Sequence, residues 1–108
     1  MSRPWKELGM HQEEFTEAVA RLITYAATNG IRLRLKDAYR DPRLHGAWGK
    51  KSGYGAANSC HKLSLAVDFW TLDPTSHKHL HDYWDRIGGA PRIPGDMGHY
   101  SFEWQGYR

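Results

Sequence analysis

The sequence predicts an α+β domain on three observations. Apolar residues recur at helical spacing from Gln12 to about Thr28, Ile31 to Lys36 alternates apolar and charged residues without exception, and both signals return later in the chain. The architecture expected is a small antiparallel sheet with helices packed mainly on one side. The 108 residues fit one domain, 1–108, and leave little room for a second.

The elements follow in order. Phe15, Val19, Leu22, Ile23 and Ala26 define the apolar face of the first helix, and Glu13, Glu14 and Glu17 crowd its start, where the helix dipole favours negative charge. Asn29-Gly30 is a stop signal. Ile31, Leu33 and Leu35 then point one way and Arg32, Arg34 and Lys36 the other, as in a half-buried strand. Asp37 to Asn58 is irregular and rich in glycine, and connections of this length inside a small domain are usually functional or disordered. It reads as a substrate-side loop with room for a short helix. Leu65 to Trp70 forms a second strand, Asp73-Pro74-Thr75 a turn and helix cap, and Ser76 to Ile87 a second helix ended by Gly88-Gly89. A Pro/Gly loop, Ala90 to Gly95, leads to a final strand from His99 to Trp104.

Composition narrows the function classes. The net charge is +3 with histidines neutral, which favours an anionic partner such as a cell-wall polymer, but no nucleic-acid-binding motif is present and nucleic acid is not expected. Cys60 is the single cysteine, so no intramolecular disulfide forms. The N-terminus lacks the apolar run of a signal peptide, and no apolar segment is long enough to span a membrane. The chain is expected to be made in a cytoplasm, to act as a monomer, and to meet any external substrate only after release.

The chemistry concentrates in Ser59-Cys60-His61-Lys62-Leu63-Ser64-Leu65-Ala66-Val67-Asp68 and in Asp96-Met97-Gly98-His99. A catalytic zinc site takes three protein ligands and leaves a fourth position open. His61, Asp68 and His99 are candidates for the three. Asp68 lies in an apolar run, where a carboxylate is costly to bury unless it is paired or bound to a metal. A salt bridge to an arginine, or an exposed strand position, would also explain it. Asp96 is placed for general acid–base work, or is simply a turn residue after Gly95.

The spaced pattern Ser-x-His-x-x-x-x-Ala-x-Asp followed by Asp-x-x-His resembles the zinc D-alanyl-D-alanine carboxypeptidases and the phage-type L-alanyl-D-glutamate endopeptidases. Asp82 to Gly89 and Gly95 to Ser101 look most like the phage-type members. The resemblance covers most of the chain and implies the zinc peptidase fold shared with hedgehog-type domains. It implies zinc bound by His61, Asp68 and His99, Asp96 as catalytic acid/base, and Arg40 as the cation that polarises the scissile carbonyl, with Arg43 as its rival. Ser59 matches the family's serine, near substrate or supporting the ligands. The family often carries glycine where this chain has Ser64, which puts the loop geometry there in question. The substrate implied is the stem peptide of peptidoglycan, cut between L-Ala and D-Glu. The alternatives are a D,D- or L,D-carboxypeptidase and a catalytically silent module that keeps zinc as a structural element. The enzyme implied is a phage lysis enzyme or a virion component.

The remaining candidates carry less. Glu103, on the last strand, is a candidate to orient a zinc-bound histidine. His77, His79 and His81 read as a solvated helix face, with a metal pair on His77 and His81 as the alternative, and Cys60 reads as a buried structural thiol. His45 is a candidate to approach the cleft. Trp48, Tyr54 and Trp104 line a groove or pack in the core.

Overall fold

The computed structural model describes residues 4–50 and 57–108. Gly53, Tyr54 and Gly55, part of the expected substrate-side loop, lie outside the described residues. The fold is α+β. Helix α1 (Pro4–Thr28) leads into strand β1 (Leu33–Asp37), and a one-turn helix α2 (Pro42–His45) follows. A 3-10 turn (Cys60–Leu63) precedes strand β2 (Ala66–Thr71), helix α3 (Ser76–Arg86) and strand β3 (His99–Ser101). The sheet is antiparallel in the order β1-β2-β3, so the strand that carries Asp68 is central.

Helix α1 starts eight residues before the expected Gln12. Pro4 opens it, where a proline's missing N–H costs nothing. Leu8, seven residues before Phe15, extends the apolar stripe past Gly9, and Phe15, Ala18, Leu22 and Ala26 lie buried along it. At the other end Ile31 N–H donates to Ala26 O and Gly30 N–H to Ala27 O, with Gly30 at φ 72. This is a Schellman closure, and its left-handed position is the reason a glycine stands there.

The core lies between the helices and one face of the sheet. Val67 and Phe69 of β2 and Tyr100 of β3 meet Phe15, Leu22, Leu80 and Trp84 of the helices. Phe15 and Trp84 pack edge to face at 5.9 Å, an arrangement that suits the ring quadrupoles. Leu35 departs from the expected half-buried alternation. It lies opposite Phe69, but on an edge strand it is 68% exposed. Just after it, a bulge at Lys36 shifts the register, so that Leu35 pairs with Phe69 and Asp37 with Asp68. Such bulges bend a strand and re-aim its side chains.

Helix α3 corrects a second expectation. His79 is exposed, but His77 and His81 join Leu80 and Trp84 on the buried stripe. Their ring nitrogens find partners from distant parts of the chain: His77 Nδ1 lies 2.6 Å from the Tyr100 hydroxyl, and His81 Nε2 lies 2.7 Å from Met97 O. Buried polar groups are tolerated when they are hydrogen-bonded in this way.

Candidate metal centre and adjoining cleft

Cross-strand pairing assembles the centre. Asp68 lies opposite Asp37 of β1 and opposite His99 of β3. Directly paired residues project to the same face of a sheet, so the face away from the core gathers these groups. His61 arrives from the 3-10 turn. Ser59 caps that turn by accepting from His61 N–H at 3.3 Å. Lys62, beside it, is buried and donates from Nζ to the carbonyls of Lys50, Ala57 and Ala47 at 2.6, 3.1 and 3.4 Å. An ammonium has three donors, and here all three tie Ala47, Lys50 and Ala57 to the turn that carries His61.

One ring or carboxylate atom from each of His61, Asp68 and His99 lies within 4.8 Å of the others. His61 Nδ1 lies 2.6 Å from Ala38 O. A carbonyl only accepts, so Nδ1 carries the proton and Nε2 of the neutral ring is a bare acceptor. That Nε2 is 3.2 Å from Asp68 Oδ1, sealed from solvent, and makes no hydrogen bond. His99 Nδ1 lies 3.2 Å from the same oxygen. A bare imidazole nitrogen sealed beside a carboxylate, with His99 Nε2 also buried without a partner, calls for a cation among them. Around an ion with ligand bonds of roughly 2.0 Å, tetrahedral geometry separates donor atoms by about 3.3 Å, and both measured separations are close to this. The group fits a metal ion, and the Ala38 carbonyl behind His61 is the kind of outer partner that fixes a ligating imidazole.

Electrostatics point the same way. Burial alone would push the Asp68 carboxyl up, but the hydrogen bond from His99 Nδ1, and the positive potential of the two imidazoles whenever either ring is protonated, outweigh it and hold the group well below the usual carboxylate range. Asp68 is therefore ionised at neutral pH and available as a ligand.

Arg40 sits next to this group. Its Nε donates to Asp37 Oδ2 at 3.2 Å, one η nitrogen donates to Ser59 Oγ at 3.0 Å, and its backbone N–H donates to His61 O at 2.9 Å. Ser59 thus binds both the His61 turn and the Arg40 guanidinium. Arg43 instead pairs with Asp41, and its side chain is 88% exposed. Of the two arginines, Arg40 is the one tied to the metal group.

Asp96 is exposed and lies in the turn that enters β3, where its N–H donates to Ile93 O and its carbonyl accepts from His99 N–H. It lines a cleft of about 290 Å³ together with Asp68, Lys36, Trp70, His77 and Gly98. Of the three grouped residues, this cleft has Asp68 in its lining with Asp96, and His61, His99 and Arg40 are not part of it. Glu103 lies elsewhere: its carboxylate accepts from Gly106 N–H and closes a C-terminal turn. Cys60 is fully buried and its thiol is pushed up to about 11 by desolvation, which suits a structural residue. Trp48 packs against Tyr107 and Trp104 near His11, both away from the cleft lining. The His45 side chain lies outside what the structure describes.

Sequence reasoning missed Asp37, Lys62, His77 and Tyr100. Asp37 had a signal, since it precedes Arg40 by three residues on the same segment. Lys62 and His77 had none, because their partners lie in distant segments. No protein-family model, curated protein or solved structure matches the chain.

Proposed function

We propose that the chain is a zinc-dependent peptidase of peptidoglycan stem peptides, acting as an L-alanyl-D-glutamate endopeptidase of the phage lysis type. The observation that carries the reading is the His61–Asp68–His99 group, with His61 Nε2 held bare of protons and 3.2 Å from the Asp68 carboxylate. Its donor set, two imidazoles and one carboxylate, is that of a catalytic zinc site with one position open. Bound there, zinc supplies Lewis acidity and a water acidic enough to ionise near neutral pH.

The chain's own residues carry the rest. Arg40, oriented by Asp37 and Ser59, polarises the scissile carbonyl and steadies the oxyanion through the paired donors of its guanidinium. Asp96, on the cleft wall, accepts a proton from the attacking water and returns it to the leaving amine. The net charge of +3 favours approach to an anionic wall.

The decisive experiment pairs metal analysis with digestion of defined peptidoglycan, reading the new termini by mass spectrometry. New amino-terminal D-Glu ends are expected; released D-Ala would mean a carboxypeptidase instead. Asp96→Ala is expected to keep about one zinc per chain while activity falls about 10²- to 10⁴-fold. His61→Ala is expected to lose both. A wild-type protein that binds no zinc, or digests wall material equally well after chelation, overturns the reading.

A further inference from the structure

His77 has one nitrogen committed and one facing the cleft. Its Nδ1 lies 2.6 Å from the Tyr100 hydroxyl. Tyr100 is fully buried, and no other partner for its hydroxyl is present among the described residues. If Nδ1 carried the proton, the phenolic hydrogen would be left buried and unpaired, a cost that native structures avoid. The hydroxyl therefore donates to Nδ1, and the ring proton sits on Nε2.

Nε2 has no protein partner among the described residues, yet it is not one of the sealed atoms. Gly98 borders this edge of the ring. A methyl group there would lie 3.8 Å from His77 Nε2 and Cε1, so the absence of a side chain clears the ring's approach to the cleft. The same cleft is lined by Lys36, Asp68 and Asp96. The cleft thus sets two donors, the fixed His77 N–H and the Lys36 ammonium, against two carboxylates, and with Asp68 taken up as a metal ligand the donors are the groups that suit an oxygen anion.

We propose that His77 is a specificity-determining residue that donates its Nε2–H, with Lys36 supplying charge, to the free carboxylate on the leaving residue of the substrate. This rests on the peptidase reading above. Asp96, the proton donor to the leaving amine, shares this cleft, while Arg40 is tied to Asp37, Ser59 and the His61 turn. The residue whose nitrogen departs therefore lies on the His77 side. In a D-Glu residue linked through its side chain, the α-carboxylate is one bond from that nitrogen's carbon. The site reads the carboxylate and discriminates against the corresponding carboxamide.

The test uses two dipeptides, L-alanyl-D-glutamate and L-alanyl-D-isoglutamine, which differ only at the α-carboxyl. Imidazole nitrogen NMR of the zinc-loaded Asp96→Ala protein is expected to show His77 protonated on Nε2, and this signal to shift on titration with the first dipeptide. The carboxamide is expected to bind about ten- to a hundred-fold more weakly, as for loss of a charge-assisted hydrogen bond. In the otherwise native protein, His77→Gln is expected to remove most of that preference in kcat/KM, and Tyr100→Phe to weaken it by freeing the ring tautomer. A His77 signal that ignores both dipeptides overturns the proposal, as does a His77→Gln variant that loses activity equally on both. Failure of the wild-type zinc protein to cut either wall fragments or dipeptides is the separate result that would overturn the peptidase reading.

Discussion

Ser64 stands at φ 54 and ψ 37, in the left-handed region, where its N–H closes the 3-10 turn onto Cys60 O and His61 O. A side chain there meets its own backbone, at about 1–2 kcal/mol, whereas glycine carries no such strain but loses more entropy on folding. This explains why the family that the sequence resembles often has glycine at this point. This chain adopts the left-handed form with a serine that is exposed and free of packing demands. Ser64→Gly is expected to raise unfolding free energy by about 0.5–1 kcal/mol in a denaturant titration, with zinc content unchanged. A loss of stability would show that the serine hydroxyl is needed. The same scale shows what a motif can and cannot convey. His61, Asp68 and His99 were legible because their types and spacing match one chemistry. His77 was not, because a histidine on a helix with three basic neighbours looks solvated until its partner, 23 residues away, is known.

At the scale of elements, the site depends on how closely β2 and β3 approach. Phe69 N–H donates to Gly98 O at 2.9 Å, extending the pairing that sets Asp68 opposite His99. A Cβ on Gly98 would fall 2.6 Å from Phe69 O, and both sides of that contact are backbone. Gly98→Ala must therefore part the strands, which moves His99 away from Asp68. The expected result is a loss of about 1–3 kcal/mol, as for other overpacked sites, and a weaker hold on zinc in a chelator competition. Unchanged affinity would mean that the β2–β3 spacing does not set the centre. The strand character of β1 and the period of α1 were readable because each needs only local sequence, although the burial that alternation predicts for Leu35 was not. The bulge at Lys36 was not, although it decides that Asp37 faces Asp68, because a bulge is defined by the partner strand and leaves the alternation intact. The true start of α1 escaped for a similar reason: Leu8 belongs to the helix by its packing on the core, across a Gly-Met-His stretch that breaks the apolar period.

For the whole molecule, metal and protons act on the same small core. A ligand that binds only the folded chain stabilises it by mass action, so zinc at a thousand times its dissociation constant should add about 4 kcal/mol. Addition of zinc to chelated protein is expected to raise Tm in wild type and not in His61→Ala. Protons act in the other direction. Burial lowers the imidazole pKa of His77 and His81 below the ordinary 6.5. For His81 the reason is visible: Nε2 donates to Met97 O, and Nδ1 is buried without a partner, so a second proton would be orphaned there. In the folded chain these rings stay neutral after the unfolded chain has taken up protons. The unfolded state then binds more protons, and stability rises with pH through that window. Their contribution is fully present above about pH 6.5 and is lost as pH falls from there through the lowered folded values. Asp68 follows the carboxylate rule in a separate window, losing its contribution only below its ordinary 3.8. Chelated protein is therefore expected to lose stability as pH drops below about 6.5, with a slope of at most about 1.4 kcal/mol per pH unit for each histidine. His81→Gln, which keeps a donor for Met97 O and cannot titrate, should reduce that slope by up to one histidine's share. Denaturant titrations of both proteins between neutral and mildly acidic pH measure it, and identical slopes would show that His81 protonates as freely in the folded chain as in the unfolded one.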